Sequence, residues 1–121
     1  MEIFKEENII RRRFEKEKRS YYLPEKRNFE VIVTEMKPGD VQEHHYHEKV
    51  SEAYYVISGK VVFNVQNIQN GEEAKKIFAD KGDVVQIYPF EIHNVENLSK
   101  KKAKIITLKF VKTPKSSDKK L

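Results

Sequence analysis

Three histidines and one glutamate have the types and the spacing that metal chemistry requires. His45 and His47 are two residues apart, so on an extended strand both imidazoles point to the same side. Glu52 follows five residues after His47, which leaves room for a turn into the next strand, and His93 lies further along the chain. Imidazole and carboxylate together suit a divalent transition metal such as Fe, Mn, Ni or Zn. These four side chains therefore predict a metal site.

Other kinds of catalytic site are poorly represented. The chain has no cysteine, which removes thiolate zinc sites, disulfides and thiol catalysis. It shows no Ser-His-Asp set and no glycine-rich loop for phosphate. His44 is out of step with His45 and His47, so we expect it to point away from the site. Any catalysis should then rest on the metal.

Short strands should position these ligands. The expected strands are Ile9–Phe14, Phe29–Met36, Val41–His47, Glu52–Ile57, Lys60–Gln66, Lys75–Ala79, Asp83–Tyr88, Ile92–Glu96 and Ala103–Val111. Ser58-Gly59 and Asn70-Gly71 predict hairpins, and the strands at 83–88 and 92–96 are expected to pair. Many short strands, frequent turns and no convincing amphipathic helix predict an all-β sandwich or barrel.

A chain of 121 residues is long enough for one domain. We expect an N-terminal arm with a short strand at 1–28, a barrel at 29–112 and a basic, frayed tail at 113–121. The arm contains Tyr21 and Tyr22, and edge-strand logic predicts that it joins a partner's sheet in a homodimer.

Charge and hydropathy limit the classes of partner that we expect. The net charge is +5, with basic clusters at Arg11–Arg13, at Lys100–Lys102 and in the tail. Glutamates interrupt the first half and no nucleic-acid motif is present, so we read the lysines as a solvated surface and expect no nucleic-acid partner. No apolar run approaches the roughly 20 residues of a membrane span, and we expect a cytoplasmic protein.

Two motifs resemble those of the cupins. The first is Gly39, five residues, His45, one residue, His47, four residues, Glu52, six residues and Gly59, with every fixed position matched. The second is Gly82, ten residues, His93, three residues and Asn97. In the second motif the family's proline falls at Tyr88 and its glycine at Phe90, whereas this chain has Pro89. The spacing from Gly82 to His93 is nevertheless kept.

The resemblance implies an antiparallel double-sheet barrel of jelly-roll type, with one metal ion held by His45, His47, Glu52 and His93. Four protein ligands leave two positions of an octahedral ion open for a small, oxygen-rich molecule. We expect a metal-dependent oxygenase or isomerase; the alternative is a metal-bearing module that binds or senses a sugar without turnover. The resemblance also implies a homodimer, since proteins with a single cupin domain are commonly dimers.

The pocket wall follows from strand alternation. Tyr54 and Val56 share the face of Glu52 and should point inward, so Tyr54 is a candidate for orienting a substrate hydroxyl or donating a proton. Phe63 or Asn64 should line the cavity, depending on register. If Gln86 faces inward, it supplies a polar group near the metal. Tyr54 and Gln86 are therefore the candidate catalytic residues.

Overall fold

The computed structural model describes residues 29–110 in full, together with the backbone of 10–14, 17–21 and Val111 and the single residues Ile3, Lys5 and Glu7. The predicted tail at 113–121 and Tyr22 of the predicted arm lie outside the described residues. Within this part of the chain, no helix is long and apolar enough to cross a membrane.

The described chain forms nine β-strands. They are β1 (Ile10–Phe14), β2 (Glu17–Tyr21), β3 (Phe29–Met36), β4 (Val50–Ser58), β5 (Lys60–Asn67), β6 (Lys75–Asp80), β7 (Val84–Ile87), β8 (Glu91–Glu96) and β9 (Ala103–Val111). The strand predicted in the arm is present as β1, and those predicted at 29–36 and 103–111 have the observed bounds.

Two antiparallel sheets face each other. The larger has the order β1-β2-β3-β9-β4-β7, and the smaller has the order β6-β5-β8. Their inner faces supply one apolar core, in which Met36 and Val56 of the larger sheet pack with Phe63 of the smaller. The predicted all-β, double-sheet jelly roll is confirmed, although the two sheets form an open sandwich and do not close into a barrel.

Two predicted strand pairings are wrong, because sequential strands change sheets. β4 and β5 are not partners, so Ser58-Gly59 is a corner between the sheets and not a hairpin turn. Gly59 has a φ of 83°, and a Cβ there would lie 2.8 Å from the Cα of Ala103. β7 pairs with β4, whereas β8 pairs with β5. The hairpin at Asn70-Gly71 is confirmed, since β5 pairs with β6.

The predicted strand at Val41–His47 is irregular. Only isolated bridges tie it to β8, at Val41 with Glu96 and at His45 with His93. The two bridges are four residues apart in this segment but only three residues apart in β8. The segment therefore carries one extra residue, as in a β-bulge. The extra residue breaks the alternation on which the strand prediction relied.

The N-terminal arm folds onto its own chain. β1 and β2 form a hairpin, and β2 pairs with β3 from Lys18 opposite Glu35 to Tyr21 opposite Ile32. The arm therefore extends its own larger sheet through β2, with β1 at the edge, and its pairing with a partner's sheet stays a prediction.

Candidate metal centre

The candidate centre lies between the two sheets, with contributions from both. Glu52 and Tyr54 come from β4 of the larger sheet and point inward. His93 comes from β8 of the smaller sheet and is fully buried. His45 is fixed beside it by two backbone hydrogen bonds, from His45 N to His93 O (3.0 Å) and from His93 N to His45 O (2.9 Å). Residues far apart in sequence therefore meet at one point.

Three imidazole nitrogens converge on one carboxylate oxygen. The Oε1 atom of Glu52 lies 3.0 Å from Nε2 of His47, 3.1 Å from Nε2 of His93 and 3.8 Å from Nε2 of His45. His45, Glu52 and His93 each offer one ligand atom within 4.8 Å of the others. His47 lies beside Glu52 but outside this compact group of three.

Backbone carbonyls fix the tautomers of two histidines. Nδ1 of His93 lies 2.8 Å from the carbonyl oxygen of Glu91, and Nδ1 of His45 lies 3.0 Å from that of Glu43. A carbonyl oxygen only accepts hydrogen bonds, so each Nδ1 carries the proton. In the neutral imidazole the lone pair is then on Nε2, the atom that faces Glu52.

The lone pairs that meet at Glu52 lack suitable partners. Oε1 of Glu52 and Nε2 of His47 are buried and make no well-directed hydrogen bond with the described residues. Burial lowers the pKa of His45 to about 4, and although the Glu43 carbonyl opposes this shift, the ring is neutral at pH 7. An imidazole lone pair and a carboxylate oxygen that face each other repel unless a cation lies between them, and this set of imidazoles and carboxylate fits a divalent metal.

Glu52 is held in its charged form. Burial alone would raise the pKa of Glu52, but the adjacent side chains of His47 and His93 and the positive charge of Lys109 bring it well below its usual range. The Tyr54 hydroxyl donates to Oε2 of Glu52 (2.8 Å) and also lies 3.1 Å from Nε2 of His93. The phenol thus engages one carboxylate oxygen while the other faces the histidines.

The loop before β8 supports His47. The amide of Phe90 donates to the carbonyl of His47 (2.8 Å), and the amide of Ile68 donates to the carbonyl of Phe90 (3.0 Å). Phe90 has a φ of 67°, a left-handed conformation that a non-glycine residue rarely adopts. This strained residue therefore ties the segment that carries His47 to the loop after β7.

The structure places the other predicted pocket residues as follows. Tyr54 and Val56 point inward, as predicted, and Phe63 lies in the core whereas Asn64 points outward and donates to Asn94 (2.7 Å). His44 is exposed, as predicted.

Gln86 is also exposed, because it is opposite Ala53 on the outer face while its neighbours in β7 point inward. The condition for a catalytic Gln86 is not met.

A polar cleft beside Glu52 was missed from the sequence. Besides three residues of the centre and Ile32, it is lined by Thr34, Gln42, Thr107 and Lys109, and it encloses about 230 Å³ when its open mouth is counted. Gln42 was missed because the extra residue turns it inward. Alternation along β9 groups Thr107 with Lys109, but both faces of that strand carry apolar residues, so the inner face could not be recognised.

Comparison with known proteins agrees with this geometry. A family model described as the cupin domain matches residues 32–109. The chain belongs to the cupin domain family. The family's glycine in the second motif corresponds to Phe90, and the positive φ at Phe90 shows that the backbone conformation suited to glycine is retained here.

Several solved cupin structures share the fold. The capsular polysaccharide assembling protein CapF from Staphylococcus aureus is 23% identical, with a TM-score of 0.75 over 89% of this chain and 30% of its own. A predicted oxalate decarboxylase from Thermotoga maritima is 20% identical, with a TM-score of 0.76 over 92% of this chain and 100% of its own. The CENP-C cupin domain of Drosophila melanogaster is 11% identical, with a TM-score of 0.78 over 88% of this chain and 76% of its own.

The chain spans about a third of the length of CapF. Among curated proteins, none matches this chain significantly. The structural neighbours therefore establish the fold, and the chemistry has to be argued from the centre itself.

Proposed function

We propose that this cupin domain holds one divalent transition metal ion, with His45, His47, Glu52 and His93 as ligands. The observation that carries the proposal is the meeting of three imidazole nitrogens at Oε1 of Glu52, in a buried place where that oxygen and Nε2 of His47 lack well-directed partners among the described residues. The four residues match Fe, Mn, Ni or Zn in ligand type.

The remaining contacts would orient these ligands. The carbonyls of Glu43 and Glu91 hold the Nδ1 protons of His45 and His93, which leaves Nε2 as the ligand atom of each ring, and Tyr54 steadies the carboxylate of Glu52 through its other oxygen. When bound, the ion supplies Lewis acidity or, as iron, electron transfer to oxygen. The open cleft beside Glu52 would admit the substrate, and Tyr54 would meet a substrate hydroxyl there.

We propose further that the domain is a metal-dependent enzyme, an oxygenase or an isomerase, acting on a small oxygen-rich molecule. The alternative is a module that binds or senses a sugar at the same centre without turnover. The polar cleft adjoining the ligands supports binding of a small molecule in both cases. The cupin fold hosts both kinds of protein, so experiment has to separate them.

Elemental analysis of untagged protein tests the metal proposal. We expect about one metal ion per chain, lost in His45→Ala and in His93→Ala. The matched control is His44→Ala, which removes an exposed imidazole next to His45 and should keep the metal. A wild-type protein free of metal after purification and after incubation with Zn(II), Mn(II), Ni(II) or Fe(II) would overturn the proposal.

Oxygen uptake separates the two functions. Protein loaded with Fe(II) should consume oxygen with one member of a panel of diketones, thiols and phenols, or the metal-loaded protein should isomerise a sugar. If nothing turns over while sugars raise the melting temperature, the binding module is the correct reading.

We also propose a homodimer that forms through the outer face of the larger sheet. Phe29, Tyr55, Val84, Leu108 and Phe110 all lie on that face and are between 36% and 63% exposed. An apolar face of this extent is typical of an interaction site, and a second copy would cover it with the same residues.

A cytoplasmic location remains a proposal, consistent with a chain that needs no disulfides.

A further inference from the structure

The cleft beside the centre contains polar groups that metal binding does not use. Thr34, Gln42, Thr107 and Lys109 line it together with residues of the centre. Thr34 and Thr107 are buried; Thr107 lies on β9 opposite Tyr54 of β4, and Thr34 lies on β3, the strand on the other side of β9. The cleft therefore has a hydroxyl-bearing wall, one amide and one ammonium group.

Gln42 is a buried acceptor that points into this cleft. Its side chain is only 8% exposed, and Oε1 makes no hydrogen bond with any described residue. Leaving a buried amide oxygen unpaired is unfavourable, so the position is suited to a donor from a bound molecule. A hydroxyl group on the ligand would meet this need.

Lys109 brings positive charge to the same cleft. It is directly opposite Glu52 in the pairing of β4 with β9, so both side chains lie on the inner face of the larger sheet. Glu30, on the other side of Lys109 in β3, shares this face. Once Glu52 holds a metal ion, the cation and the ammonium group together give the cleft a positive field, which favours an anionic ligand.

The dimensions favour a small ligand. The cleft is narrow, because much of its roughly 230 Å³ of empty space is open solvent at its mouth. Ile32 supplies an apolar patch on its wall. A ligand larger than a few carbon atoms is therefore excluded, and a small one would lie at the mouth of the cleft.

Building on the proposed metal site, we propose that this cleft binds a small 2-hydroxycarboxylate, whose carboxylate faces Lys109 and whose hydroxyl donates to Oε1 of Gln42. Neither residue is a metal ligand, so both set the choice of substrate and leave the metal in place. The proposal names the class of molecule on which the enzyme or the binding module would act.

Calorimetric titration of the zinc-loaded protein tests the ligand class. Each enantiomer of lactate is compared with propionate, which lacks the hydroxyl, and with propane-1,2-diol, which lacks the charge. We expect one enantiomer of lactate to bind at least fivefold more tightly than either analogue. A smaller preference over either analogue would overturn the proposal.

Two substitutions assign the preference to its residues. Lys109→Met should reduce the preference for lactate over propane-1,2-diol to less than twofold, whereas Lys109→Arg should preserve it. Gln42→Leu should reduce the preference for lactate over propionate to less than twofold, because the substrate hydroxyl loses its acceptor. The control is Lys104→Met, which removes an exposed ammonium group on the outer face of the same strand and should change neither preference.

Metal content separates failure of this inference from failure of the metal proposal. All variants should keep about one zinc ion per chain and a cooperative unfolding transition. If the wild type holds zinc but does not prefer lactate, or if Lys109→Met and Gln42→Leu keep both preferences, the ligand assignment is wrong while the metal site stands. If the wild type holds none of Zn(II), Mn(II), Ni(II) and Fe(II), the proposed function itself is wrong.

Discussion

At the scale of single residues, Tyr54 connects the two sheets at the centre. Its hydroxyl donates to Oε2 of Glu52 and lies close to Nε2 of His93, so one phenol contacts a residue from each sheet. Partners of this kind orient metal ligands, and their loss typically weakens metal affinity. Tyr54 is thus positioned to set the affinity of the centre even if it never touches a substrate.

Removing this hydroxyl gives the first prediction. Tyr54→Phe should still bind zinc but with an affinity lowered by about 10- to 100-fold, because Glu52 loses the hydrogen bond that orients it. Competition with a chelator of known affinity measures the change. Tyr55→Phe is the control, since Tyr55 follows on the same strand and is exposed. Equal affinities in the two variants would contradict the prediction.

Acid should destabilise the metal-free protein in a defined range. The pKa of His45 falls in the folded chain from its ordinary value of 6.5 to about 4, mainly through burial. Between these values the unfolded chain takes up a proton that the folded chain does not, so stability decreases as the pH is lowered. Glu52 acts in the same direction, because its folded pKa is also lowered and its contribution is lost further into acid.

Urea unfolding of chelator-treated protein at pH 7, 6, 5 and 4 measures this loss. The midpoint should decrease through the range, and His45→Ala should flatten the decrease between pH 6.5 and pH 4. His44→Ala should leave the profile of the wild type unchanged, since that imidazole is exposed. A midpoint that rises towards pH 4 would contradict the assignment.

Residue types revealed the candidate centre more readily than its surroundings. His45, His47, Glu52 and His93 could be named from spacing, because ligand chemistry restricts both residue type and separation. Gln86 and Gln42 could not be placed, because their orientations depend on register and on one extra residue that composition does not encode. Polar residues on a strand are informative only when the inward face is known.

At the scale of elements, turn chemistry predicted where strands end but not which strands pair. Gly59 has the positive φ of a turn, yet its turn carries the chain from one sheet to the other. The reason is visible only in three dimensions, since the backbone at Gly59 passes so close to Ala103 and Lys102 that a Cβ would lie within 3 Å of both. The sequence shows that residue 59 is a glycine, but it does not show which residues lie against it in the fold.

Two glycines separate backbone strain from steric contact. Gly59→Ala should destabilise the protein by about 3 kcal/mol or more, because it combines a left-handed conformation with a clash against Ala103. Gly71→Ala should cost only about 1–2 kcal/mol, since Gly71 has a φ of 70° but nothing lies within 4 Å of its added Cβ. Chemical denaturation of the two variants measures the difference, and equal losses would contradict the role of the close approach.

At the scale of the whole molecule, the two sheets differ in their outer surfaces. The outer face of the larger sheet carries a row of exposed aromatic and aliphatic side chains, among them Tyr55, Leu108 and Phe110. The N-terminal hairpin lengthens this sheet at the β3 edge, with β1 as its outermost strand. Association through the outer face remains available.

Light scattering tests this surface. The wild type should have the mass of a dimer, and Leu108→Lys should shift it towards the monomer, because a charge at the centre of an apolar interface is costly. Phe78→Lys is the control, since Phe78 is 74% exposed but belongs to the smaller sheet, and it should leave the mass unchanged. A monomeric wild type, or a dimer that tolerates Leu108→Lys, would contradict the proposed interface.

The extra residue between Gln42 and His45 also determines whether a charged or a neutral side chain lines the pocket. In a regular strand that keeps His45 inward, the next inward side chain would be the carboxylate of Glu43, and Gln42 would face solvent. The slip exchanges them, so that a neutral amide is buried and the acid is exposed. Deleting the extra residue would therefore place a carboxylate where the pocket now has an amide, without altering any metal ligand.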